Sequence, residues 1–206
     1  MAFIPVANTV EVEAVFELDG QIVENTISYW KPGGVSLSDI NDLLAAVNAA
    51  ITTNLMPLLH NSIQLVRLIG TLLDAADSVG AVLSVIPAVP GGNAGSTSLP
   101  SNVAFAVQFK TALSGRSHRG RNYVPGIPAT ARSAPNTISS TYRDSLLTAY
   151  IAIGAAGADA GFQHVVVSRF ADHAPRTTGI VTPITSYASA DLTVDSQRRR
   201  LPGRGS

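Results

Sequence analysis

The sequence predicts an α+β fold, a mostly antiparallel β-sheet with two main helices packed on one face. Three observations predict it. Residues 10 to 18 alternate apolar and largely acidic side chains with the period of a half-buried strand. Two segments, one after residue 36 and one from 139 to 157, place apolar residues at helical spacing. The order strand, strand, helix, strand, then strand, helix, strand, strand is satisfied by helices covering one face of an antiparallel sheet.

The first strand sets Val10, Val12, Ala14, Phe16 and Leu18 on one side and Glu11, Glu13 and Glu17 on the other. Asp19-Gly20 supplies the two positive-φ positions of a tight hairpin turn, and a return strand is expected over residues 21 to 30. Lys31-Pro32-Gly33-Gly34 breaks that strand. A helix should follow with Ser36 or Ser38 as N-cap, and with Asp39 and Asp42 in the first turn, where the helix dipole favours acids. Ile40, Leu43, Leu44, Val47, Ala50, Ile51 and Leu55 form its apolar stripe, and Pro57 is expected to end it. Residues 60 to 73 read as a buried strand, because Pro57 and Gly70 interrupt any helix there. Residues 86 to 100, with three prolines and three glycines, read as a long loop.

In the second half, residues 103 to 111 alternate Val103, Phe105, Val107 and Phe109 with smaller residues, as a strand does. A basic, glycine-containing loop is expected over 114 to 136. The second helix, over 139 to 157, turns Leu146, Leu147, Tyr150, Ile151 and Ile153 inward. Val165-Val166-Val167 reads as a short buried strand, followed by a turn over 172 to 179 and a further strand within 180 to 194. The chain thus reads as one domain over 1–206, divisible into two pseudo-equivalent halves, 1–85 and 101–195, joined by the Pro/Gly-rich loop. A basic tail, 196–206, closes it.

Charged residues make up 14% of the chain, against about 25% in ordinary soluble domains, so much of the surface is expected to meet protein. The charges are also divided. Residues 1 to 100 hold two bases, Lys31 and Arg67, against nine acids, a net of −7. Residues 101 to 206 hold twelve bases, eleven of them Arg, against five acids, a net of +7. Such a chain can attract a neighbouring copy head to tail, or its halves can neutralise each other within one fold. The sequence has no cysteine, which excludes disulfides, thiolate metal sites and cysteine nucleophiles. Met1-Ala2-Phe3-Ile4-Pro5 lacks the basic start of a signal peptide, and no apolar run reaches the roughly 18 residues of a membrane helix. No membrane partner is therefore expected.

Motifs for catalysis are sparse. His60, His118, His164 and His173 show no metal-ligand spacing, and no G-x-S-x-G occurs. Gly91-Gly92-Asn93-Ala94-Gly95 lacks the Lys-Ser/Thr of a phosphate loop, and Asp191 and Asp195 suit a solvated edge or pairing with Arg. The sequence reading is of a non-enzyme without metal or cofactor. Its informative segment is Ser114-Gly115-Arg116-Ser117-His118-Arg119-Gly120-Arg121-Asn122-Tyr123. Here Arg116, Arg119 and Arg121 can grip carboxylates of the first half or of a neighbouring subunit. Alternatively, with His118 beside them and Tyr123 stacking on a base, they can bind nucleic acid. A merely solvated loop is the third option. Arg198, Arg199, Arg200 and Arg204 form a second basic cluster, short for a genome-packaging arm and suited to docking.

Four strings carry a resemblance: Phe3-Ile4-Pro5-Val6-Ala7-Asn8-Thr9; Gly115-Arg116-Ser117-His118-Arg119-Gly120-Arg121-Asn122-Tyr123-Val124-Pro125-Gly126; Arg176-Thr177-Thr178-Gly179-Ile180-Val181-Thr182-Pro183; and Val194-Asp195-Ser196-Gln197-Arg198-Arg199-Arg200-Leu201-Pro202-Gly203-Arg204-Gly205. They resemble a group of uncharacterised phage and environmental viral proteins presumed to be structural. The resemblance spans nearly the whole chain. It implies a virion component such as a self-assembling coat or capsid subunit, or else a tail-tube, head-tail or decoration protein. The implied partners are copies of the chain itself, other virion proteins and packaged nucleic acid. The chain lacks the Arg-rich N-terminus of many jelly-roll coat proteins, which argues against that fold.

Overall fold

The computed structural model describes residues 8–18, 21–73, 79–85, 89–93, 104–111, 122–124, 126–134, 137–163, 165–173 and 183–186. It is α+β, with antiparallel strand pairing in every sheet and two α-helices. The hairpin forms as its alternation requires: β1 (Thr9–Leu18) pairs antiparallel with β2 (Gln21–Trp30), and Leu18 lies opposite Gln21. The Asp19-Gly20 turn lies outside the described residues.

Helix α1 (Leu37–Ala50) starts at Ser36, whose side chain accepts the Asp39 backbone N–H at 3.2 Å. The Asp39 carboxylate returns the bond to the Ser36 backbone N–H at 2.8 Å, so a reciprocal capping box fixes the helix start. Proline at 57 does not simply stop the helix. It has no N–H to donate, and its ring would clash with the carbonyl four residues back. The chain widens instead into a π-helical turn, Ile51–Leu55, where the Met56 N–H bonds the Ile51 carbonyl, and then tightens into a 3₁₀ turn, Met56–Leu58. Ile40, Leu43, Leu44, Val47, Ile51, Leu55 and Met56 are buried along this compound helix.

The expected strand after it is β3 (Ile63–Leu73), which pairs with β1 on the side away from β2. Two further strands join it: β4 (Val79–Val85), and β5 (Val89–Pro90), a two-residue strand inside the stretch read as loop. The first sheet therefore runs β2-β1-β3-β4, with β5 also on β3. Proline is tolerated in β5 because the strand is an edge.

A second sheet, rather than an extension of the first, holds the other half. It contains β6 (Ala104–Thr111), β7 (Asn122–Tyr123), β10 (Val165–His173) and β11 (Pro183–Ser186), in the order β11-β10-β6-β7. A small hairpin of β8 (Arg132–Ala134) and β9 (Thr137–Ile138) precedes α2 (Ser140–Ala155). Ser139 caps α2, accepting the Tyr142 N–H at 3.3 Å. The strand expected at 165 to 167 continues to His173, through part of the stretch read as a turn, because β6 offers it a partner along that length. Of the strand expected within 180 to 194, Pro183–Ser186 is described and the rest lies outside the described residues.

One hydrophobic cluster takes its members from both halves. Val10, Val12, Ala14 and Phe16 of β1, Ile27 and Tyr29 of β2, and Ile63, Leu65 and Leu68 of β3 meet α1 there. Leu146, Ala149, Tyr150 and Ile153 of α2 complete it. Two glycines permit close approaches. A Cβ on Gly70 of β3 would lie 2.9 Å from Ile40 and 3.2 Å from Leu44, so its absence seats α1. A Cβ on Gly154 of α2 would collide with the backbone carbonyl of Val165, so its absence lets α2 rest directly on β10.

Polar bonds fix how α2 lies. The Tyr29 hydroxyl donates to the Ile153 carbonyl at 2.6 Å, the Tyr142 hydroxyl to the Leu58 carbonyl at 2.8 Å, and the Asn25 amide donates to the Tyr150 hydroxyl at 3.3 Å. Burial pushes all three tyrosine hydroxyls well above their ordinary pKa, so they stay protonated, Tyr29 and Tyr142 as donors in these bonds and Tyr150 as the acceptor. Beside Asn25 and Tyr150, between the sheet and the helices, lies a cavity of about 10 Å³, room for a single water.

Candidate self-association surface

Since side chains alternate along a strand, burying Val10, Val12, Ala14 and Phe16 commits Glu11, Glu13, Val15 and Glu17 to the face of the first sheet opposite the helices. The hairpin register adds Ile22, Glu24, Thr26 and Ser28: Glu13 lies opposite Thr26, Val15 opposite Glu24 and Glu17 opposite Ile22. From β3 come Gln64, Arg67, Ile69 and Thr71, with Val15 opposite Arg67 and Glu13 opposite Ile69. An irregularity in the ladder between Val15 and Phe16 leaves Val66 without an opposite residue, and so keeps Arg67 on this face while Leu65 stays inside.

Among the described residues the helix-free face thus carries four carboxylates and one guanidinium, with small polar and aliphatic residues between them. Glu17, Glu24, Arg67 and Gln64 are exposed, and Glu11 and Glu13 are half-buried. Ile22 is 54% exposed, whereas Val15, flanked by Glu24 and Arg67, is 2% exposed. None of the four glutamates forms an ion pair with a described residue; the salt bridge among the described residues, Lys31–Asp39, lies elsewhere on the molecule. The Glu13 carboxyl is pushed above its ordinary pKa by burial and by the Glu24 and Glu11 carboxylates, with Arg67 opposing. Diagonal neighbours such as Glu13 and Glu24 are close enough for long side chains to repel. This face holds negative charge that its own strands do not neutralise.

Lys31 and Asp39 serve a different purpose. The Lys31 ammonium donates to Asp39 Oδ1 at 2.6 Å and to the Ala160 carbonyl at 2.9 Å, and it lies 5.6 Å from the centre of the Phe162 ring. The Phe162 ring in turn meets Tyr29 edge to face, with centroids 6.3 Å apart. The Lys31 hydrogen bond, then those from Ser36, lower the Asp39 pKa to about 2. The end of β2, the start of α1 and the turn after α2 are clasped together by this pair.

Of the sequence-predicted site residues, Tyr123 is placed in β7, opposite Ala106 of β6. Arg116, His118, Arg119, Arg121, Arg198, Arg199, Arg200 and Arg204 lie outside the described residues. Val124 and Ile127 are buried in the shared core, and the Gly126 carbonyl accepts the His60 N–H at 2.7 Å. Among the described residues no three His, Asp or Glu side chains gather to hold a metal ion, and no helix is long and apolar enough to cross a membrane.

Sequence reasoning set Glu11, Glu13 and Glu17 on the outward side but did not join Glu24 or Arg67 to them. Glu24 was within reach, since a two-residue turn at 19 and 20 fixes the hairpin register. Arg67 was not, because its side depends on the irregularity in β3. No family model matches the chain, and neither a curated protein nor a solved structure matches it.

Proposed function

We propose that this chain is a virion structural protein, a coat-type subunit that works by assembling with copies of itself. The observation that carries the proposal is the segregation of charge. The acidic half of the sequence puts Glu11, Glu13, Glu17 and Glu24 together on one sheet face, while the other half holds twelve of the fourteen bases, mostly as Arg. Arg suits geometrically defined pairing with carboxylates, as repeated subunit contacts require. The low charge content and the resemblance to phage and environmental viral strings point the same way. In this reading the subunit needs no cofactor, performs no catalysis and resides in the virion.

The test is sedimentation velocity of the purified protein at roughly 0.05 M and 0.5 M salt, a range over which the screening length falls severalfold. Discrete large species that dissociate towards monomer at the higher salt are expected. A monomer at both salts, up to high protein concentration, would overturn the proposal.

A further inference from the structure

We propose that the helix-free face of the first sheet is the docking surface for the arginine-rich segment around Arg116, Arg119 and Arg121 of a second copy. This rests on the self-assembly reading and names the contact that drives it. Charge complementarity selects the occupant. A face with Glu11, Glu13, Glu17 and Glu24 against a lone Arg67 repels nucleic acid and membranes of anionic lipid, and it accepts a cationic polypeptide. The chain supplies that polypeptide itself, in a half with a net charge of +7.

Spacing agrees with this. Glu11 and Glu13 are two residues apart on one strand, so their side chains project to the same face about 6.7 Å apart. Arg119 and Arg121 have the same two-residue separation, and docking in extended form would set each guanidinium against one carboxylate. The Glu13 pKa is raised first by burial and then by the Glu24 and Glu11 carboxylates, and an incoming guanidinium relieves that second, repulsive part.

Chain geometry favours a neighbour over the segment's own subunit. Immediately after Arg121, the chain forms β7, which lies against β2 and pairs with β6, and then buries Val124 and Ile127 on the helix-covered side of the sheet. Gly126 is held there by His60 and packs on Ile63. The chain at Val124 to Ile127, just past the segment, is therefore anchored across the sheet from the acidic face. A second copy meets no such barrier, and repetition of the contact is head to tail, as chains, rings and shells require.

Two charge-reversed proteins test this. One carries Glu11→Lys, Glu13→Lys, Glu17→Lys and Glu24→Lys; the other carries Arg116→Glu, Arg119→Glu and Arg121→Glu. Each alone should be folded by circular dichroism yet lose the assembled fraction seen for the wild type. An equimolar mixture should regain it, because the segment of each type then meets the opposite charge on the face of the other. If the lysine variant fails to fold, the glutamine version of the same four positions replaces it, and it should lose assembly at salt concentrations where the wild type assembles. Wild-type assembly with either variant assembling equally well, or with a folded mixture that stays dispersed, overturns the docking contact alone. A wild type that never assembles overturns the assembly reading and the contact together.

Discussion

Replacing Gly154 with alanine sets two effects against each other. Alanine is the better helix former, so in a helix the substitution alone favours folding, by at most about 1 kcal/mol here because Gly154 lies in the last turn of α2. In this molecule the new methyl group would run into the Val165 carbonyl oxygen, with the carbonyl carbon 3.1 Å away. That oxygen belongs to the backbone of β10 and cannot swing aside as the end of a side chain can. Either α2 lifts from β10 or the strand shifts, and Tyr29 would then lose its bond to the Ile153 carbonyl one residue before the change. Overpacking costs of about 1–3 kcal/mol, plus about 1 kcal/mol for that bond, outweigh the propensity gain. A net loss of about 2 kcal/mol is expected, a fall in Tm of roughly 4–8 °C for a chain of this size. Thermal and urea unfolding followed by circular dichroism would measure it, with exposed Ala45→Gly in α1 as the pure propensity control, costing about 1 kcal/mol. If Gly154→Ala equals or exceeds the wild type in stability, the close seating of α2 on β10 is wrong.

Tyr29→Phe should cost about 1 kcal/mol, read by urea unfolding, because it deletes a buried bond while the Ile153 carbonyl keeps the Ala156 N–H. Asp39→Asn should destabilise by about 1 kcal/mol at neutral pH, since the Lys31 pair is partly exposed. The folded-state pKa of Asp39 is lowered, so its contribution is complete above its ordinary value of 3.8 and disappears as pH falls towards about 2. Wild type and variant should therefore converge in stability across that window; a constant gap down to pH 2 would contradict the clasp. Glu13 has the opposite sign. Its raised pKa means the charged form is strained in the fold, so Glu13→Gln should stabilise the dispersed subunit by a few tenths of a kcal/mol at neutral pH, with the gain fading under acid.

The hairpin was readable because two local signals agreed, a period of two and an Asp-Gly turn, and such agreement fixes register without tertiary help. The start of α1 was readable for the same reason, Ser36 and Asp39 forming a cap within four residues. Long-range pairing was not readable. Nothing in Val89-Pro90 distinguishes loop from edge strand until β3 is beside it, and β10 outruns its apolar core because β6 is long enough to hold it. The fate of α1 past Ala50 turned on how the helix widens before Pro57, a choice local propensity does not specify. Half of the candidate surface followed from alternation in β1, and the rest required knowing that β3, far along the chain, lies beside it with a one-residue irregularity at Val66.

Negative-stain electron microscopy of the purified protein alone, at moderate salt, tests the central claim most directly. Uniform closed shells are the expected result for a coat subunit, and regular rings or tubes would keep self-assembly while assigning the subunit to a tail or connector. A field of dispersed single particles, under conditions where the protein is folded, would contradict the account.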